Sequence, residues 1–193
     1  MLYVVSGFMR TGTSAMMKAL AHGGLDAAYD VGRDIMKNAR ADEWYDPNEG
    51  GLYELNRWNY KHPEFPRMYD GKLIKGLNSC VPVMNTMPNG IRVIFMRRDT
   101  EEIKQSYTGF FDGQLSIGEY FQTRMDKIVE AIRNRKDVIS CHEFWFRDLC
   151  ANPLKHYEEL AAAGWPIDAA ISASHINPRL CRFKIENLEQ GVL

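Results

Sequence analysis

Leu2-Tyr3-Val4-Val5-Ser6-Gly7-Phe8-Met9-Arg10-Thr11-Gly12-Thr13-Ser14-Ala15-Met16-Met17 decides the fold of this 193-residue chain. Leu2 to Val5 is an unbroken apolar run bounded by Ser6-Gly7, the pattern of a strand buried on both faces of a parallel sheet. Ala15 to Leu20 are good helix formers, and Gly23-Gly24 ends them. Between strand and helix, Gly7 to Ser14 fits the frame G-x-x-x-x-G-x-[ST]. In that setting the frame cradles a phosphate-like anion, because loop N–H groups turn inward and the helix N-terminus adds positive potential. An ATP- or GTP-hydrolysing loop carries Lys directly after the second glycine; here that residue is Thr13, and the cation is Arg10. Without that Lys a triphosphate loses its main contact to the β and γ phosphates. Arg10-Thr11-Gly12-Thr13-Ser14 suits a smaller tetrahedral anion, gripped from the leading edge of the loop, with the Thr13 and Ser14 hydroxyls as further donors.

Working outward, Leu73-Ile74, Ile91 to Met96 and Asp137 to Cys141 read as further strands. Pro82 and Pro88 bracket irregular structure, Asp46 to Gly51 is a loop, and Leu52 to Tyr60 reads as a short helix. Asp99 with Glu102 three residues on has the form of a capping box, followed by Ile103, Tyr107 and Phe110 at helical spacing. Phe121, Met125, Ile128 and Ile132 mark an amphipathic helix. Asn152-Pro153 caps and starts a further helix that runs to about Ala163 and stops at Gly164. Strands alternating with helices predict an α/β fold with a mainly parallel sheet, as one domain over residues 1–193.

A second motif follows the Ile91 strand. It ends in Arg97-Arg98, and Ser106 lies about two turns into the next helix, roughly 10 Å along its axis. Arg98 with a hydroxyl partner is good phosphate-binding chemistry, with Arg97 the alternative one position away. A magnesium-dependent NTPase would usually end a core strand in a metal-directing Asp, and this strand ends in two arginines.

Bulk properties narrow the class. A net charge of -1 excludes a basic coat for nucleic acid or a membrane surface, though not a basic pocket. Cys80, Cys141, Cys150 and Cys181 contain no C-x-x-C pair, so neither a zinc site nor a disulfide framework is expected, and the chain reads as cytoplasmic. The first apolar run is too short for a signal peptide or a membrane span. His142-Glu143 supplies half of H-E-x-x-H, but residue 146 is Phe, and there is no G-x-S-x-G elbow.

The stretch from Val5 to Met17 resembles the 5′-phosphosulfate-binding loop of sulfotransferases, which runs Lys or Arg, Ser or Thr, Gly, Thr, then Thr or Ser. Arg98 and Ser106 match the family's Arg and Ser eight residues later, which bind the donor's 3′-phosphate; the family often has Pro where Thr100 stands. The resemblance implies a three-layer α/β/α, P-loop nucleotide-kinase-like fold. It implies 3′-phosphoadenosine 5′-phosphosulfate (PAPS) as donor, 3′-phosphoadenosine 5′-phosphate (PAP) as product, and no metal requirement. It assigns Gly7, Arg10, Thr11, Gly12, Thr13, Ser14, Arg98 and Ser106 to the donor. Arg10 then acts at the bridging or terminal oxygens, and Lys75 in Leu73-Ile74-Lys75-Gly76 matches a Lys found after a core strand.

The base departs from the commonest pattern. Many cytosolic sulfotransferases have His two residues after that Lys, where this chain has Leu77. Asp46 to Glu54 resembles an Asn-Pro-x-Gly-aromatic-aromatic-Glu segment of small bacterial sulfotransferase-like proteins, which makes Glu54 the candidate base and Glu49 the second choice. Phe146 to Pro153 resembles the family's Tyr-Glu-Asp-Leu, two residues, then Pro, with Arg147 in place of Glu. The Arg-Lys-Gly-x-x-Gly element of larger members is missing, and Arg182 is the candidate substitute. Tyr45, Tyr53, Trp58, Tyr60, Phe65 and Tyr69 would suit a ring or sugar acceptor. Two rivals stand beside a transferase: a non-catalytic anion-binding protein that kept the loop, and a P-loop small-molecule kinase.

Overall fold

The computed structural model describes residues 1–32, 53–55, 60–77, 80–108 and 115–177. Four strands, β1 (Leu2–Gly7), β2 (Leu73–Leu77), β3 (Ile91–Arg97) and β4 (Val138–Trp145), form an all-parallel sheet in the order β2-β1-β3-β4. The described helices are α1 (Thr13–His22), α2 (Phe65–Tyr69), α3 (Cys80–Val83), α4 (Thr100–Thr108), α5 (Phe121–Arg133), α6 (Phe146–Ala151), α7 (Pro153–Ala162) and α8 (Ala169–Ser174).

Strand alternation builds two cores from one sheet. In β1, Val5 packs with Met16, Met17 and Leu20 of α1 and with Phe146, Leu149, Tyr157 and Leu160 of α6 and α7. Its neighbours Leu2 and Val4 face the other way, against Phe65, Val81, Met125, Val129 and Ile132 of α2, α3 and α5. β3 divides likewise, with Ile94 and Met96 on the first face and Ile91, Val93 and Phe95 on the second. Helices therefore cover both faces of the sheet, as the α/β expectation required. No described helix is long and apolar enough to cross a membrane.

Two local readings change. Residues 53–55 are not helical: Tyr53 has φ +54, Glu54 bridges Lys75 of β2 in parallel, and the Asp30 N–H donates to the Glu54 carbonyl at 3.1 Å. The open edge of β2 recruits this segment, and its ladder groups outweigh local helix propensity. The capping box is also not formed. Asp99 Oδ1 accepts the Glu101 N–H at 2.8 Å, as an N-cap should, but Glu102 turns to two arginines instead of back to the helix start. Asn152 occupies the N-cap position of α7 without a side-chain cap; its N–H closes α6 on the Asp148 carbonyl.

The topology fixes where a ligand can sit. From β1 the chain moves to β2 on one side, then crosses to β3 on the other side of β1. Connections leaving β1 and β3 therefore diverge, opening a crevice at their carboxyl ends.

The imidazoles give the fold a pH dependence. Burial first, then the charge of Arg92, holds His142 below the usual histidine range, with Glu159 opposing. His175, stacked on His22 at 3.8 Å between ring centres, is lowered by desolvation, His22 and Lys18. Both groups bind protons more readily when unfolded. The stability they contribute is present above the ordinary histidine pKa of about 6.5 and is lost as pH falls through and below it. The melting temperature should fall between about pH 7.5 and about pH 5.5, and His142→Gln should flatten that slope. A slope of equal steepness in the variant would remove His142 as a source.

Candidate functional site

β1 ends where the loop begins, and two glycines allow the turn. Gly7 has φ +142, and a Cβ there would lie 2.7 Å from the Met96 carbonyl oxygen of β3. The Thr11 hydroxyl donates to the Phe8 carbonyl at 2.7 Å and closes the loop on itself. Arg10 sits in the left-handed region at φ +66, a conformation that costs a non-glycine residue on the order of 1 kcal/mol or more. Gly12, at φ +90, is the N-cap residue of α1, and a Cβ there would overlap the ring of buried Phe146.

This construction leaves the N-terminus of α1 electrically open. Gly12 supplies no side-chain cap, and the first turn holds no acidic residue. The first-turn N–H groups have no acceptor within the helix, so their partial positive charge faces the loop's concavity.

Cations flank it on two sides. Lys75 of β2, 4% exposed, donates from Nζ to Ser14 Oγ at 2.9 Å, and the Tyr60 hydroxyl holds the Lys75 carbonyl at 2.6 Å. Glu54 bridges Lys75 in the ladder, which puts the two residues side by side at the sheet edge. Tyr53, just before it, is buried with φ +54, the second non-glycine positive φ among the described residues. On the other side, Arg10 Nε donates to Ser106 Oγ of α4 at 3.1 Å. Arg98 Nη1 donates to the Arg10 carbonyl at 3.1 Å, and its guanidinium lies 5.0 Å from the centre of the Phe146 ring.

Strand alternation separates Arg97, which ends β3, from Arg98, the residue after it. Arg97 shares the face of Phe95 and is held by Asp126 at 2.7 Å and Glu143 at 2.6 Å. Arg98 turns to the loop. Arg98 and Ser106 both meet Arg10, one at its backbone and one at its side chain.

Glu102 is the residue that the sequence reading misplaced. It is fully buried, accepts from Arg98 Nε at 3.1 Å on Oε2, and from Arg147 Nη2 at 3.3 Å on Oε1. Its signal was present, since Arg98 and Glu102 stand four residues apart. Beside it a cleft of about 300 Å³ is lined by Arg98, Asp99, Glu102, Trp145, Arg147 and Asp148. Phe146, under both Gly12 and Arg98, is likewise more than a core residue.

The structure thus brings together Gly7, Arg10, Thr11, Gly12, Thr13, Ser14, Arg98 and Ser106, with Glu54 and Lys75 paired on the adjoining strand edge. Leu77, at the histidine position of many sulfotransferases, ends β2 opposite Gly7. Glu49 and Arg182 lie outside the described residues. Among the described residues, no group of three or more His, Cys, Asp or Glu side chains is placed to hold a metal ion.

A family model described as a sulfotransferase domain matches residues 4–164. No curated protein and no solved structure matches the chain.

The packing of Gly12 under Phe146 makes a sharp prediction. Gly12→Ala should lower stability by about 1–3 kcal/mol through overpacking and the positive φ, and should weaken anion binding at the loop. Phe146→Leu in the Gly12→Ala background should recover part of the melting temperature. Additive losses in the double variant would mean that the two residues do not press on each other.

Proposed function

The chain belongs to the sulfotransferase domain family, and from that premise we propose that it moves a sulfuryl group from PAPS to a hydroxyl or amine acceptor. The observation that carries the donor assignment is the uncapped, acid-free N-terminus of α1, flanked by Lys75 on Ser14 and by Arg10 on Ser106. A 5′-phosphosulfate needs a dense set of N–H donors and cations, and these residues fit it.

The donor supplies an activated sulfuryl group, whose bond to the 5′-phosphate oxygen breaks as the acceptor oxygen or nitrogen attacks in line. Lys75 and the first-turn N–H groups of α1 stabilise negative charge that grows on the departing oxygen. Arg10 supports the same charge from the loop's leading edge. Glu54 takes the acceptor's proton, and its place beside Lys75 keeps base and cation side by side at the sheet edge. Tyr29 and Tyr53, packed edge to face at 5.0 Å, support the segment that carries Glu54. The acceptor is a small molecule or saccharide.

A second reading has one observation in its favour. Leu77 stands where many family members carry His, so a binder that kept the cradle without transfer is the alternative.

PAP should raise the melting temperature without magnesium, by an amount equivalent to about 2.7 kcal/mol at a hundredfold excess over its Kd, while ATP with magnesium does little. Stabilisation by ATP-magnesium alone would sink the donor assignment. Glu54→Gln should lower kcat about a hundredfold or more with PAP binding unchanged, whereas Arg10→Ala should lose both. Unaltered turnover in Glu54→Gln would remove it as the base.

A further inference from the structure

We propose that Tyr60 is a positioning residue for Lys75, whose hydroxyl fixes the lysine backbone at the outer edge of β2 so that the ammonium stays aimed at the anion loop. The proposal rests on the donor reading above and adds to it a residue that acts through Lys75 rather than on the donor. The sequence placed Tyr60 among aromatic residues suited to an acceptor wall. In the structure it is buried, its ring packs against Phe65 at 5.8 Å between centres, and its hydroxyl donates to the Lys75 carbonyl at 2.6 Å. A phenylalanine would fill the same core position without a polar atom. A buried hydroxyl costs free energy unless it is bonded, and the bond made here is to the residue of β2 that carries the cation.

Lys75 is held at two points, and they differ in what happens when a ligand arrives. At one end Nζ donates to Ser14 Oγ at 2.9 Å, and Ser14 belongs to the anion loop. An anion in that loop draws on the same hydroxyl and the same ammonium, so this contact changes on binding. At the other end the Tyr60 contact is to backbone and needs nothing from the loop. β2 pairs with β1 along its inner edge, with Val5 opposite Lys75. On its outer edge the Leu73 N–H meets the Asp26 carbonyl and the Ala28 N–H meets the Leu73 carbonyl, both at 2.8 Å. Two residues on, the Lys75 carbonyl takes a phenol hydroxyl. A side chain whose root is fixed during folding loses less freedom when it meets its anion.

The main chain of Tyr60 is fixed as well. The Asn85 N–H donates to the Tyr60 carbonyl at 3.0 Å. Arg135, two residues past α5, holds the segment that carries Asn85. Its Nη1 donates to the carbonyls of Val81 at 2.9 Å and Met84 at 2.8 Å, and its Nη2 to that of Asn85 at 3.3 Å. Asp137 accepts from Arg135 Nε at 2.9 Å and Nη2 at 2.7 Å, and also takes the Met87 N–H at 2.8 Å. A two-point pairing of guanidinium and carboxylate is directional, so the 81–87 segment is a firm support. The hydroxyl therefore reaches Lys75 from a residue that is itself tied down.

The test is a calorimetric titration of the full chain with PAP and with adenosine 3′-phosphate, which lacks the 5′-phosphate. The ratio of the two affinities measures what the 5′-phosphate adds, and that increment is where Lys75 acts. Wild type should prefer PAP. Tyr60→Phe keeps the buried ring and removes only the hydroxyl. It should cut the preference about threefold to tenfold, the usual worth of one hydrogen bond, with adenosine 3′-phosphate bound as in wild type. In a Lys75→Ala background the same substitution should change the preference by less than about twofold, because the group it positions is gone. A preference left intact in Tyr60→Phe, or one that falls as far with Lys75→Ala present as without it, would overturn the positioning role and leave the donor reading standing. An equal loss of affinity for both nucleotides would overturn it too, since that reports a weakened fold. Equal affinity of wild type for the two nucleotides would instead overturn the donor reading, and the role of Tyr60 with it.

Discussion

A helix whose N-terminus carries no cap and no acid holds an unmet electrostatic demand, and this molecule places one at the centre of its sheet. α1 is started by Gly12, a residue with no side chain to satisfy the first-turn N–H groups. That glycine is required twice, by its positive φ and by the Phe146 ring against it. Gly7 is required by the close pass of the loop to β3. The chain thus brings the helix end to the one place in the sheet where connections diverge, and the tightness of the packing keeps it there.

α4 has the opposite electrostatic design. Its first turn holds Glu101 and Glu102, and its N-cap Asp99 is satisfied locally. It works as a brace for arginines of other elements: Ser106 takes Arg10, and Glu102 takes Arg98 and Arg147. A buried ion pair of this kind adds little net stability, since desolvation offsets much of the attraction. Its effect is on orientation. A flexible arginine that must find its anion loses side-chain entropy on binding, and one already fixed by a neighbour has lost it during folding.

Much of this could be read from the residues because it is local. The β1 run, the glycine frame and the Arg after β3 are contiguous patterns, and a strand-loop-helix unit forms largely from its own sequence. The choice between Arg97 and Arg98 needed the sheet, because alternation sends one to Asp126 and the other to Arg10. Glu102 was misplaced because a capping box and an i,i+4 ion pair use the same residue. Arg147, 45 residues away, meets the same carboxylate. Residues 53–55 were misread as helix because nothing near them in sequence announces the outer edge of β2. The bridge that places Glu54 beside Lys75 is a tertiary fact.

The anion cradle and the proposed base rest on different kinds of structure, and this bears on how the site could work or fail. The cradle is made of backbone N–H groups, two glycines and buried side chains on the central strands, so altering Glu54 leaves it whole. Glu54 is tied to the sheet edge through its bridge to Lys75 and the Asp30 N–H on its carbonyl. Just before it, Tyr53 is kept in a left-handed conformation that costs on the order of 1–3 kcal/mol. Such strain persists only where surrounding contacts over-determine it, and here the buried ring against Tyr29 supplies them. Strain held at the residue before a candidate base is hard to reconcile with a segment that merely pads the edge of a sheet. It fits a segment held in one position beside Lys75, as the base proposed above requires.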